Sequence, residues 1–167
     1  MWALRLTELV GFVFMAHDES SKSPHGRIRK WDGMTPYGVH PTWCAMTILT
    51  ETSLPEELRY SGAEALLLHD LLEDTKTPLP KSVNRRVVEL VLGMTFESSE
   101  QEMRIVWSRG NEILLLKLYD KTSNLLDGVW MTAEKRTKYS DYLLRLCREV
   151  EQVYGNLNII RIARAVC

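Results

Sequence analysis

Cysteine is scarce in this chain. Cys44, Cys147 and Cys167 are the only three among 167 residues, odd in number and widely spaced. They show no zinc-site spacing and cannot build a disulfide framework, which points to the cytosol. A surplus of one charge is missing too, since 21 Lys and Arg stand against 22 Asp and Glu for a formal net charge of −1. Such a balance argues against a broad footprint for nucleic acid or for an anionic membrane, and leaves room only for a local basic pocket. No uncharged run approaches the ~18 residues of a membrane span. The apolar start, Met1 to Met15, is interrupted by Arg5 and Glu8 and followed by no small-residue cleavage site, so it reads as a core helix rather than a secretion signal. Sustained strand alternation, internal repeats, low-complexity tracts and interdomain linkers are absent as well.

What is present is a hydrophobic content of 45% and a charged content of 26%, the balance of a soluble globular chain. The length suits one domain over residues 1–167 with a full hydrophobic core. Leu4, Leu6, Leu9, Val10, Val13 and Phe14 fit a helix packed on one face. Residues 18–39 read as a long loop, rich in Ser, Lys, Pro, Gly and Arg; loops beyond about 12–15 residues often carry function. Pro41 can open a helix to about Thr50, and Ser53 with Pro55-Glu56-Glu57 looks like another start. Ser61 is expected to begin a helix over Gly62–Glu73, and Thr77, Pro78 and Pro80 a turn. Val83–Leu92 reads as helical with Gly93 at its end, and Ser99 and Glu102 have capping-box spacing. Asn111 is placed as the cap of an apolar helix over Ile113–Leu126, Thr132–Tyr154 reads as a long amphipathic helix, and Asn158 as the cap of a last short one. The expectation is an all-α, single-domain bundle of seven to nine helices. The closing segment, Ile159 to Val166, either completes the core or forms an interface between copies in a homo-oligomer; both readings stand.

Two segments break the hydrophobic rules. Ala65-Leu-Leu-Leu-His69-Asp70-Leu-Leu-Glu73-Asp74 has leucine nearly all the way round, which calls for burial, yet carries four ionisable groups. His69 and Glu73 are one turn apart, as are Asp70 and Asp74. Burying three carboxylates together without a cation costs several kcal/mol or more. A divalent metal removes that cost; the plainer alternative is an exposed acidic helix end. Leu114-Leu-Leu-Lys117-Leu-Tyr-Asp120-Lys-Thr-Ser-Asn124 repeats the anomaly, with Lys117, Asp120 and Asn124 on one face of an apolar helix. Taken alone, that is equally a buried Lys117–Asp120 ion pair. Beside the first segment, Asp120 becomes the remaining ligand. His40, where the long loop meets a helix, supplies a second imidazole, although a lone His there is more often a cap or packing residue. Two imidazoles and two carboxylates suit Mn, Fe, Co or Zn better than Ca or Mg. Arg29-Lys30 in the loop is a candidate substrate contact: Arg forks to phosphate or stacks on a base, and Lys adds a point charge.

Together these residues resemble the HD superfamily, and within it the hydrolase domain of the Rel/Spo alarmone enzymes. The matching segments are Arg29-Lys30, Thr35-Pro-Tyr-Gly-Val-His40-Pro, Ala65 to Thr75, Val91-Leu-Gly-Met-Thr95, Leu116 to Leu125, and the basic pair Lys135-Arg136 before a long helix. The resemblance implies an HD-type helical bundle with a Mn²⁺ site made by His40, His69, Asp70 and Asp120. It implies that Glu73 and Asp74 handle the attacking water, and that Arg29, Lys30 and Asn124 contact a nucleotide, with Lys117 and Lys135-Arg136 near the pocket. The activity implied is removal of pyrophosphate from the 3′ position of guanosine tetra- or pentaphosphate, by a cytoplasmic enzyme of the small stand-alone type. Small HD proteins also include nucleoside 5′-monophosphatases and hydrolases of the NADPH 2′-phosphate, and a third reading is a nucleotide-binding module without catalysis. The chain departs from the family pattern in the His17–Arg29 loop and in the longer Trp31–Pro36 link. Phe96 follows Thr95 where Lys is typical, Tyr119 replaces a small residue and Ser123 replaces His or Tyr. These departures bear on base and phosphate recognition and leave the metal set intact.

Overall fold

Nine α-helices and three single 3-10 turns carry the described residues, 2–167, of the computed structural model. Among those residues there is no strand, only two isolated backbone bridges, Ser21 with Thr75 and Ile28 with Pro36. The all-α expectation holds. The centre of the bundle is α7 (Asn111–Leu126), which packs against α2 (Val39–Leu49), α5 (Arg85–Met94), α8 (Ala133–Tyr154) and α9 (Asn158–Val166). It buries Leu115, Leu116, Leu118, Tyr119 and Leu125, so the charged residues interspersed with them are carried into the interior.

The first helix, α1 (Trp2–Ser20), turns Leu6, Leu9, Val13 and Ala16 inward at helical spacing. It continues past residue 18, where a loop was expected, and the Ser20 hydroxyl donates back to the Ala16 carbonyl at 2.7 Å. The segment that follows is ordered by backbone bonds: Lys22 N–H donates to Asp74 O at 2.7 Å, Arg29 N–H to Thr35 O at 2.8 Å, and Tyr37 N–H to Arg27 O at 2.8 Å. The Asp32 carboxylate closes the tip by accepting from the amides of Met34 and Thr35.

The expected break at Ser61 is not there. One helix, α3 (Glu56–Leu68), runs straight through Ser61-Gly62, with the Ser61 hydroxyl donating to Glu57 O instead of capping. Gly62 serves packing: a Cβ on it would lie 2.9 Å from Ile48 Cδ1 and 3.1 Å from Leu116 Cδ2, so its bareness lets α3 approach α2 and α7. The break falls at His69-Asp70, before the short α4 (Leu71–Asp74). There the His69 ring bonds through Nδ1 to Leu66 O at 2.8 Å, competing for the carbonyl that the next helical amide would use.

Other boundaries shift by a residue or two. Asn84 caps α5 by accepting from Val87 N–H, and α5 runs through Gly93, which gives room to Ile113. Ser98, rather than Ser99, caps α6 (Ser99–Ile105). Gly110, at φ 93°, precedes α7 in place of the expected Asn111 cap. Thr132, expected as the first residue of the long helix, instead caps α8 by accepting from Lys135 N–H. Asn158 does not cap α9; the Glu51 carboxylate reaches across to accept Ile159 N–H at 2.8 Å. Ile159, Ile160 and Ala163 are buried against α7 and α8, so the last segment completes the core.

Candidate metal centre

The helix break, the start of α2 and the middle of α7 meet at one point. His40, in the first turn of α2, and His69, at the break, bring their rings to a centroid distance of 5.3 Å. Asp70 Oδ1 lies 3.0 Å from His69 Nε2, and Asp70 Oδ2 lies 3.5 Å from His40 Nε2. Asp120 Oδ1, from α7, is 3.5 Å from His40 Nε2 and 3.7 Å from His69 Nε2. All four residues are buried. Despite these approaches neither Nε2 has a hydrogen-bond partner. His69 donates its Nδ1 proton to Leu66 O, which leaves the lone pair of its Nε2 facing the carboxylates. His40 Nδ1 is held at 2.8 Å by the Ser123 hydroxyl. Ligands about 2.1 Å from a shared ion are roughly 3 to 3.5 Å apart. One donor atom each from His40, His69 and Asp120 lie within 4.8 Å of one another, close to that spacing, and Asp70 flanks them through its contacts with the two imidazoles. Mixed nitrogen and oxygen donors suit a transition metal.

The two imidazoles respond oppositely to the charges around them. Burial works against protonation of both imidazoles, but at His69 the Asp70 and Asp120 charges outweigh it and raise its pKa to about 9. At His40 burial prevails and the pKa falls below the usual histidine value. Burial also opposes ionisation of Asp120, yet Lys121 and Lys117 hold its carboxyl well below the ordinary range.

Glu73 and Asp74 lie on α4 beside this cluster. Glu73 Oε1 accepts Phe96 N–H at 2.8 Å, which leaves Oε2 free. Burial, then the Asp70 charge, raises both Glu73 and Asp74 to about 6. The Tyr37 hydroxyl donates to Asp70 Oδ2 at 2.8 Å, and the Tyr37 ring stacks on buried His17.

The remaining residues singled out in the sequence separate into three groups. Arg29, Lys30 and Asn124 line a cavity of about 210 Å³ together with Asp74, Tyr37 and Trp130. Lys30 and Lys135 each place an ammonium over the Trp130 ring, at 4.5 and 4.6 Å from its centroid. Lys117 is 2% exposed and lies beneath the cluster, paired with Asp120 and Glu102. Arg136 donates to Val166 O at 3.0 Å and is tied to the C-terminal helix. Arg29 is itself committed: Nε and Nη2 fork onto Asp127 at 2.7 and 2.9 Å, and Nη2 also reaches Asn124 Oδ1 at 2.9 Å. Asn124 Nδ2 then donates to Asp120 Oδ1 at 2.7 Å, linking the cavity to the metal cluster.

Sequence reasoning passed over Asp127, Tyr37, Lys121, Trp130 and Glu102. Asp127 had a signal, since it continues the helical face of Asp120 and Asn124. Lys121, a second cation in an apolar helix, had one as well. Glu102 had none, because its partners lie on another helix.

Neither a protein-family model nor a curated protein matches the chain. Solved structures do. One, described as a metazoan ortholog of SpoT that hydrolyses ppGpp and plays a role in starvation responses, aligns over 97% of this chain and 93% of that one with a TM-score of 0.69 and 22% identity. At that identity the likeness is one of fold, and it is the fold that the sequence resemblance implied. No helix among the described residues is long and apolar enough to cross a membrane.

Proposed function

We propose, from a fold shared with a SpoT-like ppGpp hydrolase and from the make-up of the buried cluster, that the protein is a metal-dependent phosphohydrolase of the cytosol. Its substrate in this reading is guanosine tetra- or pentaphosphate, from which it removes the 3′ pyrophosphate. The observation that carries the reading is the pair of buried, unpartnered Nε2 atoms of His40 and His69 grouped with the Asp120 carboxylate and flanked by Asp70. Buried polar atoms are nearly always satisfied, and a cation satisfies these. His40, His69, Asp70 and Asp120 would hold it; these donors suit Mn, Fe, Co or Zn, and among them Mn²⁺ is the ion that the family resemblance implies. A divalent ion bound there lowers the pKa of water and polarises a phosphoryl oxygen.

Glu73 takes the proton from the attacking water. Its free Oε2 and a pKa of about 6 make it an ionised acceptor at neutral pH. Asp74, next to it and raised to about 6 as well, shares the task of orienting the water. The water adds to the phosphorus on the ribose 3′ oxygen, the P–O3′ bond breaks, and the 3′ oxygen recovers a proton. Guanosine tetraphosphate and water thereby give GDP and pyrophosphate. Arg29, Lys30 and Asn124 face the nucleotide from the 210 Å³ cavity, and Lys135 adds charge beside Trp130. Lys117 supports the site from below, and Arg136, committed to the Val166 carbonyl, is set aside as a substrate contact.

A second reading rests on that same distribution. With Lys117 spent on Asp120 and Glu102, and Arg29 on Asp127, fewer cations are free for phosphate than the sequence offers. That favours a substrate with a single reacting phosphate, a nucleoside 5′-monophosphate or the 2′-phosphate of NADPH. Chromatography after incubation with Mn²⁺ separates the two. Release of GDP and intact pyrophosphate supports the first; dephosphorylation of AMP, dAMP or NADPH with guanosine tetraphosphate untouched replaces it with the second.

A further inference from the structure

The two carboxylate oxygens of Asp120 have different surroundings. Oδ1 faces the histidines and accepts from Asn124 Nδ2. Oδ2 faces away from them and meets two ammonium groups, Lys117 Nζ at 3.1 Å and Lys121 Nζ at 3.0 Å. Both lysines also contact Glu102 Oε2, each at 3.0 Å, and Glu102 Oε1 accepts the Tyr142 hydroxyl at 2.9 Å. The side chains of Lys117, Lys121 and Glu102 are 2%, 11% and 6% exposed, so water screens these charges little. Two cations thus face two anions.

We propose that Lys117 and Lys121 compete with the metal for Asp120, confining it to one ligating oxygen, and that Glu102 sets how hard they pull. The proposal rests on Asp120 being a ligand, as argued above. A carboxylate that already shares its charge with two ammonium groups is a weaker donor, and outer partners of this kind tune both affinity and the acidity of what the ion binds. An ion held this way keeps more of its positive charge for the phosphoryl oxygen. Glu102 opposes the effect by drawing both ammonium groups toward itself. Lys121 and Glu102 have no ion pair or hydrogen bond with the histidines and act on the ion through Asp120, although both line a cavity of about 420 Å³ with Glu73 and Asp74. In this proposal they are positioning residues.

The test is the Mn²⁺ dissociation constant, measured by titration calorimetry on the full chain and its variants, with thermal unfolding as the check on folding. Lys121→Met removes one competing cation and is expected to bind Mn²⁺ tighter by about tenfold, the lower end of outer-partner effects. Glu102→Gln leaves the lysines to Asp120 alone and is expected to bind it weaker by about the same factor. A purely structural role gives the opposite sign for Lys121→Met, because loss of an anchor weakens binding. Folded Lys121→Met with unchanged or weaker affinity overturns the proposal, as does Glu102→Gln with unchanged or tighter affinity. Lys121→Gln, which keeps hydrogen bonding without the charge, decides the sign if the methionine variant does not fold. A wild-type protein that binds no Mn²⁺ removes the metal reading itself, a result distinct from either.

Discussion

Replacing Asp127 tests how the nucleotide cavity is held together. The Arg29 side chain is 8% exposed and that of Asp127 20%, so their fork is largely shielded from water. Asp127→Asn keeps the shape and one acceptor but removes the charge and one of the two bonds to Arg29. Charge-assisted hydrogen bonds contribute about 1.5–3 kcal/mol each, and removing one partner of a buried pair costs about 3–5 kcal/mol. Two features place Asp127→Asn at the lower end: Asp127 is partly exposed, and Asn124 Oδ1 still holds Arg29. The expected loss is ~2 kcal/mol in unfolding free energy, with Asp127→Ala worse than Asp127→Asn. Urea unfolding at matched pH measures it. Because Arg29 loses its fixed plane, KM for the nucleotide is expected to rise more than kcat falls. An Asp127→Asn protein that unfolds at the wild-type urea midpoint, with wild-type KM, refutes the claim that this fork sets the position of Arg29.

Glu73→Gln is expected to retain its metal while kcat drops by about a hundredfold or more, the usual contribution of a positioned base. Near-normal turnover of metal-replete protein rules that role out. In the wild-type enzyme kcat should fall as pH drops through about 6, because Glu73 and Asp74, raised to about 6, take up protons there and lose their capacity as bases. A kcat that stays flat from neutral pH to well below that range contradicts the assignment. Gly62→Val is expected to destabilise the fold by ~2 kcal/mol through overpacking against Ile48 and Leu116. An unchanged denaturant midpoint would show that α3 has room to spare.

Much of the site could be read in the sequence because its chemistry violates hydrophobic patterning. His69, Asp70 and Asp120 stand out among leucines, and the structure buries each of them. The Lys117–Asp120 pairing, weighed from spacing alone, is also present at 3.1 Å. What escaped depends on contacts between distant segments. The helix break at His69 arises from a ring-to-carbonyl bond, and local propensity placed the break at Ser61-Gly62 instead. Gly62 looked like a boundary because its packing role depends on Ile48 and Leu116, which only the tertiary fold brings close. The α9 start is satisfied by Glu51, more than a hundred residues earlier, and no local pattern could reveal that. Arg29 reads as a substrate cation in the sequence, and that Asp127 engages it is evident only once the loop is placed against α7; the second partner of Lys117, Glu102, likewise comes to light only with α6.

Elemental analysis of the purified chain beside His69→Ala and Asp120→Ala tests the central claim most directly. If the four groups hold an ion, the wild-type protein carries about one transition-metal ion per chain and both variants lose it, along with activity. Full metal content in the folded variants, or a wild-type protein that takes up none when incubated with Mn²⁺, would contradict a metal centre at His40, His69, Asp70 and Asp120.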